Sequence, residues 1–337
     1  MTKSRPSPAN SIRIVFASLF LCLFAALPAF ATDGIYYQFG LDLGYAGRIG
    51  YTGPEWAIYV YGAGTASNPF KALDISAPPG STPPQIDGNI AMAGVYSTAS
   101  ISGQSVINGD IYRQTTSKVS FTGNAHFTPG HGQIFSPTIN SQLSDGINSL
   151  KTVSIKAAGL TPTAGSPTSI NLGKGQNVVF NNSNPNNPFD GKYVMNLTDF
   201  VLSGKSTLTL KGAAGTAFVL NISGSFNING GSKVLLTGGL TVSDVLFNVT
   251  GSSANFSING DSEFNGTLLA YNSKSGGQRE LNISGHNTVV NGEVLVNRLV
   301  VQSGAHVKKP KEKSKEKDDD DDVVASNSLL RARTSIQ

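Results

Sequence analysis

Acid–base or metal chemistry in this chain would have to come from four histidines and a thin scatter of carboxylates. His126 and His131 stand five residues apart, the second inside Pro129-Gly130-His131-Gly132. Cleaving a polysaccharide calls for two carboxyl groups held a few ångströms apart, one acting as acid and the other as base or nucleophile. Asp87, Asp110, Asp145, Asp199, Asp244, Asp261, Glu263 and Glu293 are strung along the chain without such a cluster. A polysaccharide lyase or hydrolase is therefore the third of three functional readings. A zinc site needs three or four ligands, and the two neighbouring histidines have no cysteine or nearby carboxylate to complete one. Calcium-binding repeats need regularly spaced Asp, where the repeats here carry Asn and Ser. No catalytic residue, metal ligand or cofactor site is assigned.

What the chain does repeat is a polar surface. In Ser225-Phe226-Asn227-Ile228-Asn229 and Asn255-Phe256-Ser257-Ile258-Asn259, alternation sends apolar residues to one face of a strand and polar residues to the other. Thr207 and Thr209 flank Leu208 in the same way. The candidates for surface contact are thus Thr207, Thr209, Ser225, Asn227, Asn229, Asn255, Ser257 and Asn259. Strands stacked about 5 Å apart would align them into flat ladders of hydroxyl and amide groups. Lys205, Lys211 and Lys233 interrupt that regularity.

The elements that must hold these ladders are short strands punctuated by glycine. An apolar residue, a small polar residue and glycine recur at Ile101-Ser102-Gly103, Ile107-Asn108-Gly109, Ile222-Ser223-Gly224, Ile228-Asn229-Gly230, Ile258-Asn259-Gly260 and Ile283-Ser284-Gly285. Such strands are too short to bury a face alone, so copies must stack on one another as a solenoid. One segment breaks the pattern. Ser136 is a good N-cap and Pro137 suits the first helical position. Ile139, Leu143, Ile147 and Leu150 then share one helix face, which predicts a single helix over about 137–158 lying along the rod. Strands with several apolar residues in succession, at 217–220, 233–236 and 244–247, are expected beneath that helix or the N-terminal region.

Composition fits the same picture. The 337 residues include 38 glycines and few charges, and the formal net charge of +4 falls to about +1 once Lys3, Arg5 and Arg13 are set aside. Those cations precede the apolar run from Ile14 to Ala26 and the small-residue site Ala29-Phe30-Ala31, which together read as a signal peptide over 1–31. The single cysteine, Cys22, lies inside it, so the exported chain holds together without disulfides. Residues 32–85 carry most of the tyrosines and Trp56, and are expected to form an aromatic cap and linker. The β-helix domain is placed at 86–307, and the charge block from Lys308 onward is read as a disordered tail over 308–337. Nothing calls for nucleic acid, a membrane span after signal cleavage, or assembly beyond a monomer.

The stretch from about Gly191 to Val307 resembles secreted bacterial β-helix proteins of the ice-binding type and adhesion modules of the choice-of-anchor A, collagen-binding-like type. The resemblance is carried by Ala217-Phe218-Val219-Leu220-Asn221-Ile222-Ser223-Gly224, Ser243-Asp244-Val245-Leu246-Phe247-Asn248-Val249, Phe264-Asn265-Gly266-Thr267-Leu268-Leu269-Ala270 and Val290-Asn291-Gly292-Glu293-Val294-Leu295. It implies a right-handed parallel β-helix with a helix alongside, no catalysis, and binding through one flat face. The leading reading is a secreted, non-enzymatic rod that docks on an extended surface such as a matrix polymer or the cell envelope. The alternative is that the surface is ice.

Overall fold

A computed structural model describes residues 56–182, 192–213, 216–251, 256–271 and 280–309. The glycine-punctuated strands form a parallel β-helix of three sheets, each with nine strands among the described residues. Sheet A holds β1 (Trp56–Val60), β4 (Asn89–Met92), β7 (Ile111–Arg113), β10 (Gln133–Ile134), β13 (Lys192–Leu197), β16 (Ala217–Ile222), β19 (Val245–Val249), β22 (Thr267–Ala270) and β25 (Val294–Val296). Sheet B holds β2 (Phe70–Ser76), β5 (Ser97–Ile101), β8 (Lys118–Phe121), β11 (Ile170–Leu172), β14 (Phe200–Leu202), β17 (Phe226–Ile228), β20 (Phe256–Asn259), β23 (Glu280–Ser284) and β26 (Arg298–Gln302). Sheet C holds β3 (Gln85–Asp87), β6 (Val106–Asn108), β9 (His126–Phe127), β12 (Asn177–Asn182), β15 (Thr207–Gly212), β18 (Lys233–Thr237), β21 (Glu263–Asn265), β24 (Val289–Asn291) and β27 (His306–Lys308).

The order of coils along the rod is not the order of the chain. The first coil, β1 to β3, lies in the middle, and the next two climb from it to one end at β8, β9 and β10. The helix α1 (Pro137–Ala158) then carries the chain back along the rod, and the remaining coils climb from β11, β12 and β13 toward the first. The last coil closes the rod by pairing β25 with β1, β26 with β2 and β27 with β3. Trp56–Val60 and Phe70–Ser76, expected in an end cap, are thus central rungs: β1 pairs with β25 and β4, and β2 with β26 and β5, so neither strand has a free edge. Residues 32–55 of that expected cap, the signal peptide and residues 310–337 of the expected tail lie outside the described residues. Lys308, expected to open the tail, instead ends β27 and pairs with Asp87 of β3.

Among the described residues, apolar inward side chains fill the rod. Phe200, Phe226, Phe247 and Phe264 pack ring to ring in the half that follows the helix, with Phe200 and Phe226 stacked at 5.3 Å between centroids. Ile58, Ile75, Ile86, Ile90, Ile101 and Ile107 fill the other half and are fully buried. Each such side chain contributes about 1.5–3 kcal/mol on leaving water. Corners between sheets B and C are closed by a serine that the glycine phrase hides. Ser105, Ser232 and Ser262 are buried and donate to the carbonyls of Ser102, Asn229 and Asn259 at 2.6, 2.7 and 2.6 Å. Gly103 and Gly230 turn these corners at φ of +74° and +63°, a region costly for residues with a Cβ.

The helix is bounded as its sequence predicts, with Ser136 Oγ accepting from the Ile139 amide at 3.2 Å. It lies over the outward face of sheet A and buries Leu143, Leu150, Val153 and Ala157 against Tyr59, Val219, Leu246 and Leu295. Polar clasps fix its position. Asn248 Nδ2 donates to the Ser154 carbonyl at 3.0 Å and Asn221 Nδ2 to the Ala157 carbonyl at 2.7 Å. Tyr59 Oη donates to the Leu143 carbonyl, directly beside Gly146. Of the apolar runs expected under cover, 217–220 and 245–247 lie in sheet A beneath α1, and Asp244 belongs to the turn before it. Lys233-Val234-Leu235-Leu236 instead belongs to sheet C, where Lys233 faces solvent and only Val234 is fully buried.

Candidate surface-binding face

With sheet A covered, two outward faces remain, and register decides what each displays. On sheet B the central outward residues run Asn171, Val201, Asn227, Ser257, Asn282, Val300, Asp74, Ser100 and Ser120 from rung to rung. At about 4.8 Å per rung this column is about 38 Å long. Its side chains are short, so the face is flat. All are at least partly exposed except Val300, which is recessed between Asn282 and Asp74 at 6% exposure. Ser257 Oγ donates to Asn227 Oδ1 at 3.0 Å, tying adjacent rungs together. A second column, Asn259, Ser284, Gln302 and Ser76, runs beside it. Charges on sheet B gather in the column on the other side, where Glu280 Oε2 and Arg298 Nε lie 3.0 Å apart and Lys71 and Lys118 follow.

Sheet C is built from the same strand lengths but displays a different surface. Its first outward column reads Asn177, Thr207, Lys233, Glu263, Val289, His306, Gln85, Val106 and His126. Lys233 Nζ and Glu263 Oε2 are 3.5 Å apart, and His306 Nε2 and Asp87 Oδ2 are 2.7 Å apart. Burial pushes the His306 imidazole below its ordinary range, and this outweighs the opposing pull of Asp87. Long and charged side chains are interspersed with Val and Thr, so the face is uneven in both height and charge.

The eight predicted contact residues therefore do not form one site. Asn227, Ser257 and Asn259 share sheet B, while Thr207 and Thr209 lie on sheet C. Ser225 is at the corner entering β17, where its amide donates to Asp199 Oδ1 at 2.9 Å. Asn229 is at the corner leaving β17, its carbonyl held by Ser232. Asn255 lies outside the described residues. Sequence reasoning missed Asn171, Val201, Asn282, Val300, Asp74, Ser100 and Ser120, which complete the ladder. The available signal was a polar residue between two inward apolar ones, as in Leu281-Asn282-Ile283; the wholly apolar Phe200-Val201-Leu202 carries no such signal.

The groups that could do acid–base chemistry are dispersed. His131 Nδ1 lies 3.4 Å from Asp110 Oδ1 near the β10 end, while His126 projects from sheet C. Asp244 caps a turn through the Thr241 amide at 2.6 Å, and Asp199 holds a corner. No group of three or more His, Cys, Asp or Glu positioned for a metal occurs among the described residues.

Residues 75–302, more than half of the chain, match the family described as ice-binding-like. The chain belongs to that family. No curated protein matches the sequence. Similar solved structures include a glycosylated ice-binding protein from an Arctic yeast, 19% identical over 78% of this chain and 94% of that one, with a TM-score of 0.46. An ice-binding protein domain from Shewanella frigidimarina is 12% identical over 76% and 95%, with a TM-score of 0.44. An ice-binding protein from the Antarctic ascomycete Antarctomyces psychrotrophicus is 15% identical over 71% and 93%, with a TM-score of 0.39. Membership of the ice-binding-like family favours ice over a matrix polymer or cell envelope as the extended surface. The described part of this ice-binding-like chain has no helix long and apolar enough to cross a membrane.

Proposed function

We propose that the chain is a secreted, non-catalytic protein that binds ice through the outward face of sheet B. The observation that carries this reading is the nine-rung column from Asn171 to Ser120, a flat run of short side chains with one charge in it. Ice is a rigid, periodic array of water. A protein face adsorbs to it when its own bound water can adopt a similar order without giving up strong hydration. Amide, hydroxyl and methyl groups repeated at strand spacing hold water in regular positions at low cost, whereas charged groups hold it too tightly to release. Sheet A is closed by α1, and the ion pairs of sheet C occupy its outward columns, whereas those of sheet B start from its edge column and meet the central column only at Asp74, which favours sheet B. Export follows from the signal peptide read at 1–31.

Thermal hysteresis and ice-crystal shaping test the assignment. The wild-type protein is expected to shape growing crystals and open a hysteresis gap. Ser257→Asp, which puts a carboxylate in the middle of the ladder, is expected to remove most of that gap with little change in melting temperature. Thr209→Asp on sheet C is expected to leave it intact. Unshaped crystals with the wild-type protein would reject ice binding. Loss of activity in Thr209→Asp but not in Ser257→Asp would move the site to sheet C.

A further inference from the structure

Asp74 is the single charged residue in the central column of sheet B. It pairs across to Val300 on one side and Ser100 on the other. On one side of it lie six neutral rungs, Asn171, Val201, Asn227, Ser257, Asn282 and Val300. On the other side lie only two, Ser100 and Ser120. Lys71 Nζ reaches Asp74 Oδ2 at 2.6 Å, drawing a second charge from the edge column toward the centre of the face. Both side chains keep contact with solvent, at 43% exposure for Lys71 and 20% for Asp74. The pair sits beside the one irregularity in the pairing of β2 with β5, a register shift between Lys71 and Leu73.

We propose that Asp74 sets the length of the ice-contacting face, confining it to the six rungs from Asn171 to Val300 and cutting off the two beyond. This rests on the sheet B reading above. A carboxylate and an ammonium group hold their first hydration shells far more strongly than an amide or hydroxyl does, and stripping or reordering that water is costly. Water over the Lys71–Asp74 pair is oriented by the charges instead of by the strand repeat. An ice plane lying on the column therefore keeps register over the six neutral rungs and loses it at the seventh. The six rungs extend about 24 Å, enough for a periodic contact, while two rungs extend about 5 Å. In the neighbouring column Gln302 and Ser76, on the Val300 and Asp74 rungs, carry no charge. Glu280 also touches the column, accepting from Asn282 Nδ2 at 3.1 Å, but its charge stays in the edge column with Arg298, and only at Asp74 does a charge stand in the central column itself.

The test moves the boundary in both directions on the full chain. Asp74→Asn keeps the shape and removes the charge, and the double variant Asp74→Ser with Lys71→Ser removes the pair. Each joins nine neutral rungs where there were six, so hysteresis at equal concentration is expected to rise by about half. Asn282→Asp moves the first charge two rungs earlier and leaves four neutral rungs, so hysteresis is expected to fall by about a third or more. Melting temperature is measured for each variant. If an Asp74 variant unfolds because the pair supports the β2 irregularity, Asn282→Asp on the intact pair still decides the matter. Wild-type activity that is unchanged in Asn282→Asp, or unchanged or lowered in a folded Asp74→Asn, would overturn the proposal while leaving ice binding in place. An inactive wild type would instead reject the reading on which it rests.

Discussion

Among the described residues, sheets A and B have nine strands each, the same parallel pairing and the same kind of apolar inner face, yet one is sealed and the other is open. The difference lies in the alternate residues. Outward from sheet A stand Val219, Leu246, Leu269, Leu295 and Tyr59, which gain by being covered. Outward from sheet B stand Asn227, Ser257, Asn282 and Ser100, which do not. Even the asparagines differ in their use. Asn221 and Asn248 on sheet A are buried at 7% and 0% exposure, and helix carbonyls take up their amide donors. Asn227 on sheet B is half-buried and accepts from Ser257 Oγ on the next rung. A solenoid repeat thus fixes the frame, and the outward position of each rung decides whether that frame is packed against the chain itself or offered to something else.

The sharpest way to break this comparison is to make one substitution on both sheets. Asn248→Ala strands the Ser154 hydroxyl and the Asn221 carbonyl oxygen in a buried network, which should cost about 3 kcal/mol. Asn227→Ala removes a solvated side chain and should change stability by less than about 0.5 kcal/mol. Urea midpoints at unchanged slope measure both. Equal losses would mean that sheet B is covered as sheet A is.

A smaller effect is expected where the helix crosses the first coil. Gly146 lies against Tyr59 Oη, and a methyl group there would occupy the same space. Overpacking of this kind costs about 1–3 kcal/mol, and the helix propensity gained by alanine returns about 1. Gly146→Ala should therefore destabilise the protein by up to about 2 kcal/mol. Adding Tyr59→Phe, which removes the crowded hydroxyl, should recover part of it in a double-mutant cycle. A stabilised Gly146→Ala would show that the helix stands off sheet A at this point.

The sequence made one side of this comparison readable and hid the other. Ser136-Pro137 and the spacing of Leu143, Ile147 and Leu150 mark the helix and its buried stripe because capping and periodicity are local. The stacking of coils is likewise written in the glycine phrase. Which sheet a strand joins is not. Ile222-Ser223-Gly224 turns the corner from sheet A to sheet B, while Ile101-Ser102-Gly103 turns from B to C, and the two phrases look alike. Without that phase, Thr207 and Thr209 could not be separated from Asn227 and Ser257. The mid-rod position of Trp56–Val60 was hidden for a related reason: its partner Val294–Val296 lies more than 230 residues away, and no short-range pattern reports it.

Sheet C supplies the intermediate case, an outward face that is open but charged, and its effect on stability is the smallest and most conditional. His306 on β27 faces Asp87 on β3, across the seam where the last coil meets the first. Lys308 on the same strand disfavours the imidazolium, Asp87 favours it, and burial is the largest influence, so the folded-state pKa is lowered. The unfolded chain then binds a proton at this site more readily than the folded one. Stability from this group is present above the ordinary histidine range and falls as pH drops from about 7 toward 5. His306→Gln should lose less stability than wild type over that interval, read as the difference between their melting temperatures at each pH. If wild type instead gains on the variant as acid is added, the ion pair with Asp87 outweighs burial, and sheet C at the seam is held by charge where sheet A is held by packing.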